Sequence, residues 1–444
     1  MRVSVGLLGL LASAAALPVC AAEGWQFSGA MRVRYEAISD QPRLAYNEDD
    51  QVLLARTSVQ ARYIQGRWRL VAELQDSRTW MADAGTPLST NEVNPIDLTQ
   101  AYVVGDFAGS LGEGSSLSVQ AGRFSMSLGS RRLAASEDYR NTTNSMTGFK
   151  ADWQLTGGTG GTAFLAFPVP RLPDTPADLL RNEVVFDHER LDTLWYGAQW
   201  RSAMQSKLGA LEVLAVGLRD RDAPGRPTRD RDLRTVDVRL IREPAAGKWD
   251  WDLEGAMQWG HASISTAATA APREVAANYL HLRAGYQWNR AWKPRLALDY
   301  DWASGDGSGP VSHRFDTLYG GRRGDFAPSG LYALVGRANI SSPGLRVEVT
   351  PNTRLDWMAT LRGLWLASPS DVFSTSTIKD PSGTAGRYAG TQWDTRLRWW
   401  VVPKRVQLEV NAVLLQHGRF LQEAPAARRE SATRFVAVSV MSSF

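Results

Sequence analysis

The 444-residue chain has one cysteine, Cys20, and five histidines, His188, His261, His281, His313 and His417, which lie far apart. No Cys/His spacing suits a metal site, and no GxSxG-like serine accompanies the histidines, so zinc and serine-hydrolase chemistry have no basis here. "DGSG" around Asp306 lacks the further acidic ligands of a calcium loop. Beyond the N-terminus no run of eighteen apolar residues occurs, which excludes a helical membrane protein. Lysine is scarce as well: of the 50 basic residues only Lys150, Lys207, Lys248, Lys293, Lys379 and Lys404 are lysines, and the rest are arginines.

The N-terminus, "MRVSVGLLGLLASAAALPVCAAEG", combines one arginine, a short apolar run and Pro18 followed by small residues, the pattern of a secretory signal peptide. Cleavage after Ala22 removes residues 1–22 and leaves a mature chain, 23–444, without cysteine. Val19 is larger than the residue that usually precedes a lipidated cysteine, which disfavours a lipoprotein. An exported chain of this size without disulfides must draw its stability from elsewhere.

What the chain does contain is alternation. In "LLARTSVQARYIQGRWRLVAELQD", 53–76, Leu53, Ala55, Val59, Ala61 and Tyr63 oppose Arg56, Ser58, Gln60 and Arg62; across Gln65-Gly66, Trp68, Leu70 and Leu74 oppose Arg69, Glu73 and Gln75. Period two predicts strands with one apolar and one polar face. The pattern recurs in "WDWDLEGAMQWG", "YLHLRAGYQW", "RLALDYDW", "TRLDWMATLRGLW" and "QWDTRLRWWV", and the apolar faces often end in tryptophan. A soluble sandwich has shorter strands and no aromatic girdle. Aromatic ends, short turns alternating with long polar loops, and strands that need a closed sheet in lipid predict an all-β transmembrane antiparallel barrel with periplasmic turns and extracellular loops.

An even strand number follows if both chain ends are periplasmic. Merging "LYALVGRANI" and "LRVEVT" into one bulged element, 331–351, gives eighteen strands. The terminal "RFVAVSVMSSF" is an alternating strand closed by Phe444, resembling the assembly signal of bacterial outer-membrane barrels. The expected location is the outer membrane of a Gram-negative bacterium.

With the apolar face to lipid, the charged face points inward. Arginine suits carboxylate ligands, since its planar guanidinium grips them with two N–H groups; a GC-rich genome would raise arginine over lysine equally well. Carboxylates share the inward parity, among them Glu36, Glu73, Asp152, Asp237, Asp252, Glu254, Asp299, Asp301, Glu348, Asp356, Asp394 and Glu409, so many charges must pair. The run "RDRDAPGRPTRDRD" reads as a solvated exterior loop.

The segment 121–153 resembles the alginate export family of outer-membrane barrels, through Gly122-Arg123, Gly129, Arg132-Leu133, Asp138-Tyr139-Arg140-Asn141 and Gly148-Phe149. "DLTQAYV" at 97–103 and "YDWASGDG...FDTLYG" at 300–320 add to the likeness; Phe124 departs from it, standing where a polar residue is common. The resemblance implies an eighteen-stranded monomeric barrel whose electropositive constriction conducts a polyuronate. Strict alternation would turn Arg123 towards lipid, so the strand is expected to bulge or end at Gly122 and the 125–146 loop to fold into the lumen.

These readings lead to a passive outer-membrane channel for an anionic polysaccharide or oligosaccharide, alginate-like, with no cofactor, metal or nucleic acid involved. The expected substrate path comprises Arg32, Arg34, Arg56, Arg62, Arg69, Lys150, Arg239, Arg283, Arg354, Arg362, Arg396 and Arg398 on the walls, with Arg123, Arg132 and Arg140 from the inserted loop. The alternative is a general or small-solute porin, such as one for organic acids, whose charges only keep the lumen wet. A barrel enzyme or adhesin is disfavoured by the missing catalytic constellation.

Overall fold

No water reaches a backbone N–H or C=O inside a hydrocarbon layer, so strands that cross one must be paired on both edges. The computed structural model describes residues 23–137, 139–204, 208–321 and 324–444; the expected signal peptide, 1–22, lies outside them, as does Asp138. Its first nine strands are β1 (Gly24–Ser39), β2 (Asp50–Gln65), β3 (Trp68–Trp80), β4 (Asn94–Ala108), β5 (Ser116–Phe124), β6 (Met146–Gln154), β7 (Gly160–Pro168), β8 (Thr193–Arg201) and β9 (Ala210–Asp220). The second nine are β10 (Asp232–Arg242), β11 (Lys248–Ser263), β12 (Pro272–Gln287), β13 (Arg295–Ala303), β14 (Ile340–Asn352), β15 (Leu355–Trp365), β16 (Tyr388–Val402), β17 (Val406–His417) and β18 (Ala432–Ser443).

Each strand pairs antiparallel with its neighbours in the chain, and β1 closes on β18 from Ala30–Ser443 to Ser39–Arg434. At that seam Gly29 and Phe444 exchange backbone hydrogen bonds of 3.0 and 3.1 Å. The Phe444 ring lies over Gly29, in the space a β-carbon there would take.

Connections alternate as expected. The short ones include 66–67, 243–247, 353–354 and 403–405, and the long ones include 81–93, 125–145, 169–192, 304–339 and 366–387. Two long loops carry brief helices that the period-two pattern did not announce, α1 (Pro176–Arg181) and α2 (Arg419–Glu423).

The outward parity is apolar and uncovered: Leu70, Leu74, Phe149, Met257, Leu298 and Val440 are all exposed. Such a surface is suited to lipid rather than water. Aromatic clusters sit beside the short turns, with Trp25 near Phe27 and Tyr63, Trp68 near Phe107, and Trp249 and Trp288 flanking Tyr286.

A second apolar region lies inside. Leu128, Leu133, Phe315, Phe326, Leu331, Leu334, Phe373 and Phe420 from the long loops are buried together with Val52, Leu54, Leu364, Leu415 and Phe435 of the strands. Val52 and Leu54, apolar residues on the otherwise polar parity of β2, therefore have an inner core to join.

Two details correct the sequence reading. Residues 331–339 are not part of a strand; β14 starts at Ile340, and its irregularity falls between Val349 and Asn352. The apolar side chains that imitated a strand pack inward instead: Tyr332 lies 5.9 Å from the Phe435 ring and donates to Gln392 Oε1 at 2.5 Å. The β5 strand also runs through Gly122 to Phe124, and Gly122 absorbs the distortion at φ +128°, where a β-carbon would strike the Ala101 carbonyl.

This inner core makes a prediction. Leu331→Ala or Leu334→Ala removes a fully buried side chain, a change that costs about 2–5 kcal/mol locally. Amide exchange of 304–339 should quicken while that of β12–β15 stays slow; uniform quickening of the barrel would contradict an independently packed insert.

Candidate functional site: the inner wall and its inserted loops

Alternation places ionisable groups on the inner face, and antiparallel register decides which of them meet. From β9 to β15 they meet as opposites. Arg239 binds Asp252 at 2.6 Å, Glu212 at 3.0 Å and Glu254 at 3.5 Å. Arg283, opposite Asp299 in the register, grips it with two N–H groups at 2.7 and 3.0 Å. Arg295 pairs with Asp250 and with Glu348, which also accepts from Arg346 at 2.6 Å. His281 Nδ1 lies 2.7 Å from Asp301, and Arg362 lies 3.4 Å from the same carboxylate. Buried charges of this kind persist only when paired.

Two loops enter this network. Arg132, on 125–145, reaches Asp252 at 3.0 Å and Glu254 at 2.5 Å, and takes both oxygens of Asp325, on 304–339, at 2.8 and 3.0 Å. Arg337 donates to Asp325 as well. Arg132 was expected to present its charge to a passing ligand; in the structure it ties two loops to β11.

Across the barrel the arrangement differs. Arg32 of β1 and Arg56 of β2 are direct register partners, and both donate to the Arg140 carbonyl, at 2.6 and 3.3 Å. Like charges placed directly opposite each other in a sheet repel. Arg34 lies over the Tyr139 ring at 4.2 Å, pairs with Glu36 at 2.8 Å and donates to the Tyr139 carbonyl at 2.5 Å. The Arg140 side chain itself lies 3.8 Å from Glu137. Further along β2, half-buried Arg62 makes one hydrogen bond among the described residues, to Gln60 Oε1 at 3.4 Å.

The other expected residues are spread out. Arg69 grips Asp106 at 2.7 and 2.8 Å, Lys150 pairs with Asp152 at 2.9 Å, and Arg396 and Arg398 share Asp356 at 3.4 and 3.0 Å. Arg354 is corrected: it stands exposed in the 353–354 turn, at the mouth rather than on the wall, because β15 begins one residue later. Arg123 lies opposite Ala101 and Thr147, and its charge is covered by Asp97 at 3.1 Å and Glu189 at 2.7 Å, away from the Arg132 network. Sequence reasoning passed over Asp325, Arg337, Arg295 and Arg346. The first two lay in or beside a segment read as loop and strand, where period two has no meaning.

Neutral contacts anchor the same loops. The Asn141 amide donates to the carbonyls of Ala55 and Glu92, at 3.0 and 2.9 Å. Arg171, on 169–192, donates to Thr90 O, Asn91 Oδ1 and Asn144 Oδ1. Burial, then the Arg140 charge, draws the Arg171 guanidinium down to about 10, so it stays protonated at neutral pH. Asp187 on the same loop accepts from Leu172 N at 2.7 Å and Asn94 Nδ2 at 2.8 Å. Burial and the nearby Asp97 charge push its carboxyl up to about 7.

Solved structures share the fold. Pseudomonas aeruginosa OccK2 (OpdF), crystallised in complex with glucuronate, matches at TM-score 0.55 and 12% identity over 94% of this chain and 98% of its own. A BenF-like porin of Pseudomonas fluorescens Pf-5 matches at TM-score 0.57 and 11% identity over 95% and 99%. Acinetobacter baumannii OccAB1 matches at TM-score 0.59 and 11% identity over 95% and 97%. No curated protein matches the sequence. These neighbours share the closed eighteen-stranded barrel. Residues 25–435 match the model of the alginate export family, and the chain belongs to that family, which makes the barrel an outer-membrane channel, not an enzyme.

The Asp187 carboxyl carries a pH prediction. Its value in the fold is raised above its ordinary 3.8, so its contribution to loop stability is full below 3.8 and is lost as pH rises through about 7. Amide exchange in 169–192 should accelerate between pH 5.5 and 8 beyond the intrinsic base-catalysed rise. Asp187→Asn should abolish the excess, and an unchanged excess in that variant would contradict the assignment.

Proposed function

We propose that this outer-membrane channel passively conducts an anionic polysaccharide or oligosaccharide of the polyuronate type, with one chain forming one channel. The observation that carries this reading is the like-charge pair Arg32–Arg56, facing across β1 and β2 beside Arg34 and Arg140. Guanidiniums gathered on one sector of the inner wall set up a local field that favours anions. Arg62, six residues further along the same face of β2, lies about 20 Å down the strand at the usual rise per residue. Successive carboxylates of a polymer could meet these groups in turn, held weakly enough to leave. The family name and the glucuronate held by a fold neighbour agree with this substrate class.

A second reading is favoured by the β9–β15 wall, where opposite charges satisfy each other: a porin for small organic acids needs no polymer-length ladder. Single-channel recording separates the two. Polyuronate should block the current, and Arg56→Gln or Arg62→Gln should raise the half-blocking concentration about tenfold, the worth of one charged hydrogen-bonding partner. Absence of block, or equal block by a neutral glucan, would leave the small-solute reading in place.

A further inference from the structure

The 304–339 loop brings one carboxylate, Asp325, into a ring of arginines. Arg132 takes both of its oxygens at 2.8 and 3.0 Å, Arg337 donates to Oδ2, and Arg283 approaches Oδ1 at 3.5 Å. Two more guanidiniums hold the backbone around it: Arg362 donates to the Asp325 carbonyl at 2.5 Å and Arg346 to the Gly324 carbonyl at 3.2 Å. The next side chain, Phe326, provides a ring for Arg362 and Arg337, at 5.0 and 5.7 Å. A two-pronged guanidinium, further donors and an aromatic platform are the means by which proteins recognise a carboxylate ligand. Here the chain supplies the carboxylate itself.

We propose that Arg132, Arg283 and Arg337 form a carboxylate-binding site occupied by Asp325 as a tethered ligand, and that a uronate carboxylate displaces Asp325 and releases the stretch 324–331 from the wall while Arg337 stays in place. The identity of the displacing anion rests on the polyuronate reading; the tethered occupant does not.

The charge arrangement makes the exchange feasible. Without Asp325, Arg132 keeps Asp252 and Glu254, and Arg283 keeps Asp299. Only Arg337 is left to the incoming anion, so displacement strands no wall charge. The contact also joins two inserted loops, since Arg132 lies on 125–145 and Asp325 on 304–339. Breaking it changes how the interior is filled without disturbing a strand pair.

Asp325→Asn and Asp325→Glu, recorded in planar bilayers beside the wild type, test the proposal. Asp325→Asn should raise conductance, and an oligouronate should block it at about tenfold lower concentration because the internal competitor is gone; Asp325→Glu should restore wild-type behaviour. Higher conductance with no uronate block in either protein supports the tethered carboxylate and overturns the polyuronate reading. Equal block of wild type and Asp325→Asn supports that reading and overturns the competition. Should Asp325→Asn fail to assemble, amide exchange of the wild-type channel decides: oligouronate must quicken exchange across 324–331, and unchanged or slower exchange there overturns the displacement.

Discussion

The requirement that every backbone hydrogen bond be met within the protein underlies this structure. It forces eighteen strands into a closed ring and fixes their alternation, which puts apolar side chains in lipid and charged ones inside. A soluble protein would bury the first set and hydrate the second. Here the polar set is the confined one, and its charges must be managed within the barrel.

They are managed in two ways. Between β9 and β15 cross-strand register matches most arginines with carboxylates, as in Arg283 with Asp299, while buried Asp237 of β10 keeps one oxygen without a hydrogen-bond partner among the described residues. Inserted loops then use that wall as an anchor, through Arg132 to Asp252 and Glu254, and cover part of it with their own apolar residues. On β1 and β2, register instead places Arg32 against Arg56 and turns both to a backbone carbonyl. The gathering of Arg32, Arg34, Arg56 and Arg140 on one sector is the physical argument for a directed anion path.

The strands were legible because each declares its own faces: Leu53 to Tyr63 and Trp68 to Leu74 needed no knowledge of their neighbours, and Gln65-Gly66 sits at the turn between β2 and β3. Loop interiors were not legible. Leu331, Leu334 and Val335 imitated a strand because burial against other loops demands apolar residues without imposing a period. Arg132 was legible as a site residue but not in its partners, since Asp252 and Asp325 lie 120 and 193 residues away and only the fold brings them together. Arg123 raised a real conflict with alternation, and the structure resolves it by covering the charge with Asp97 and Glu189 rather than by ending the strand.

The central claim is that anions travel along the arginine cluster of β1 and β2. A crystal structure with a short oligouronate bound tests it most directly. The account predicts a uronate carboxylate beside Arg56 or Arg62. Sugar density confined to the Arg239–Arg295 side of the barrel, with the β1–β2 face empty, would contradict it.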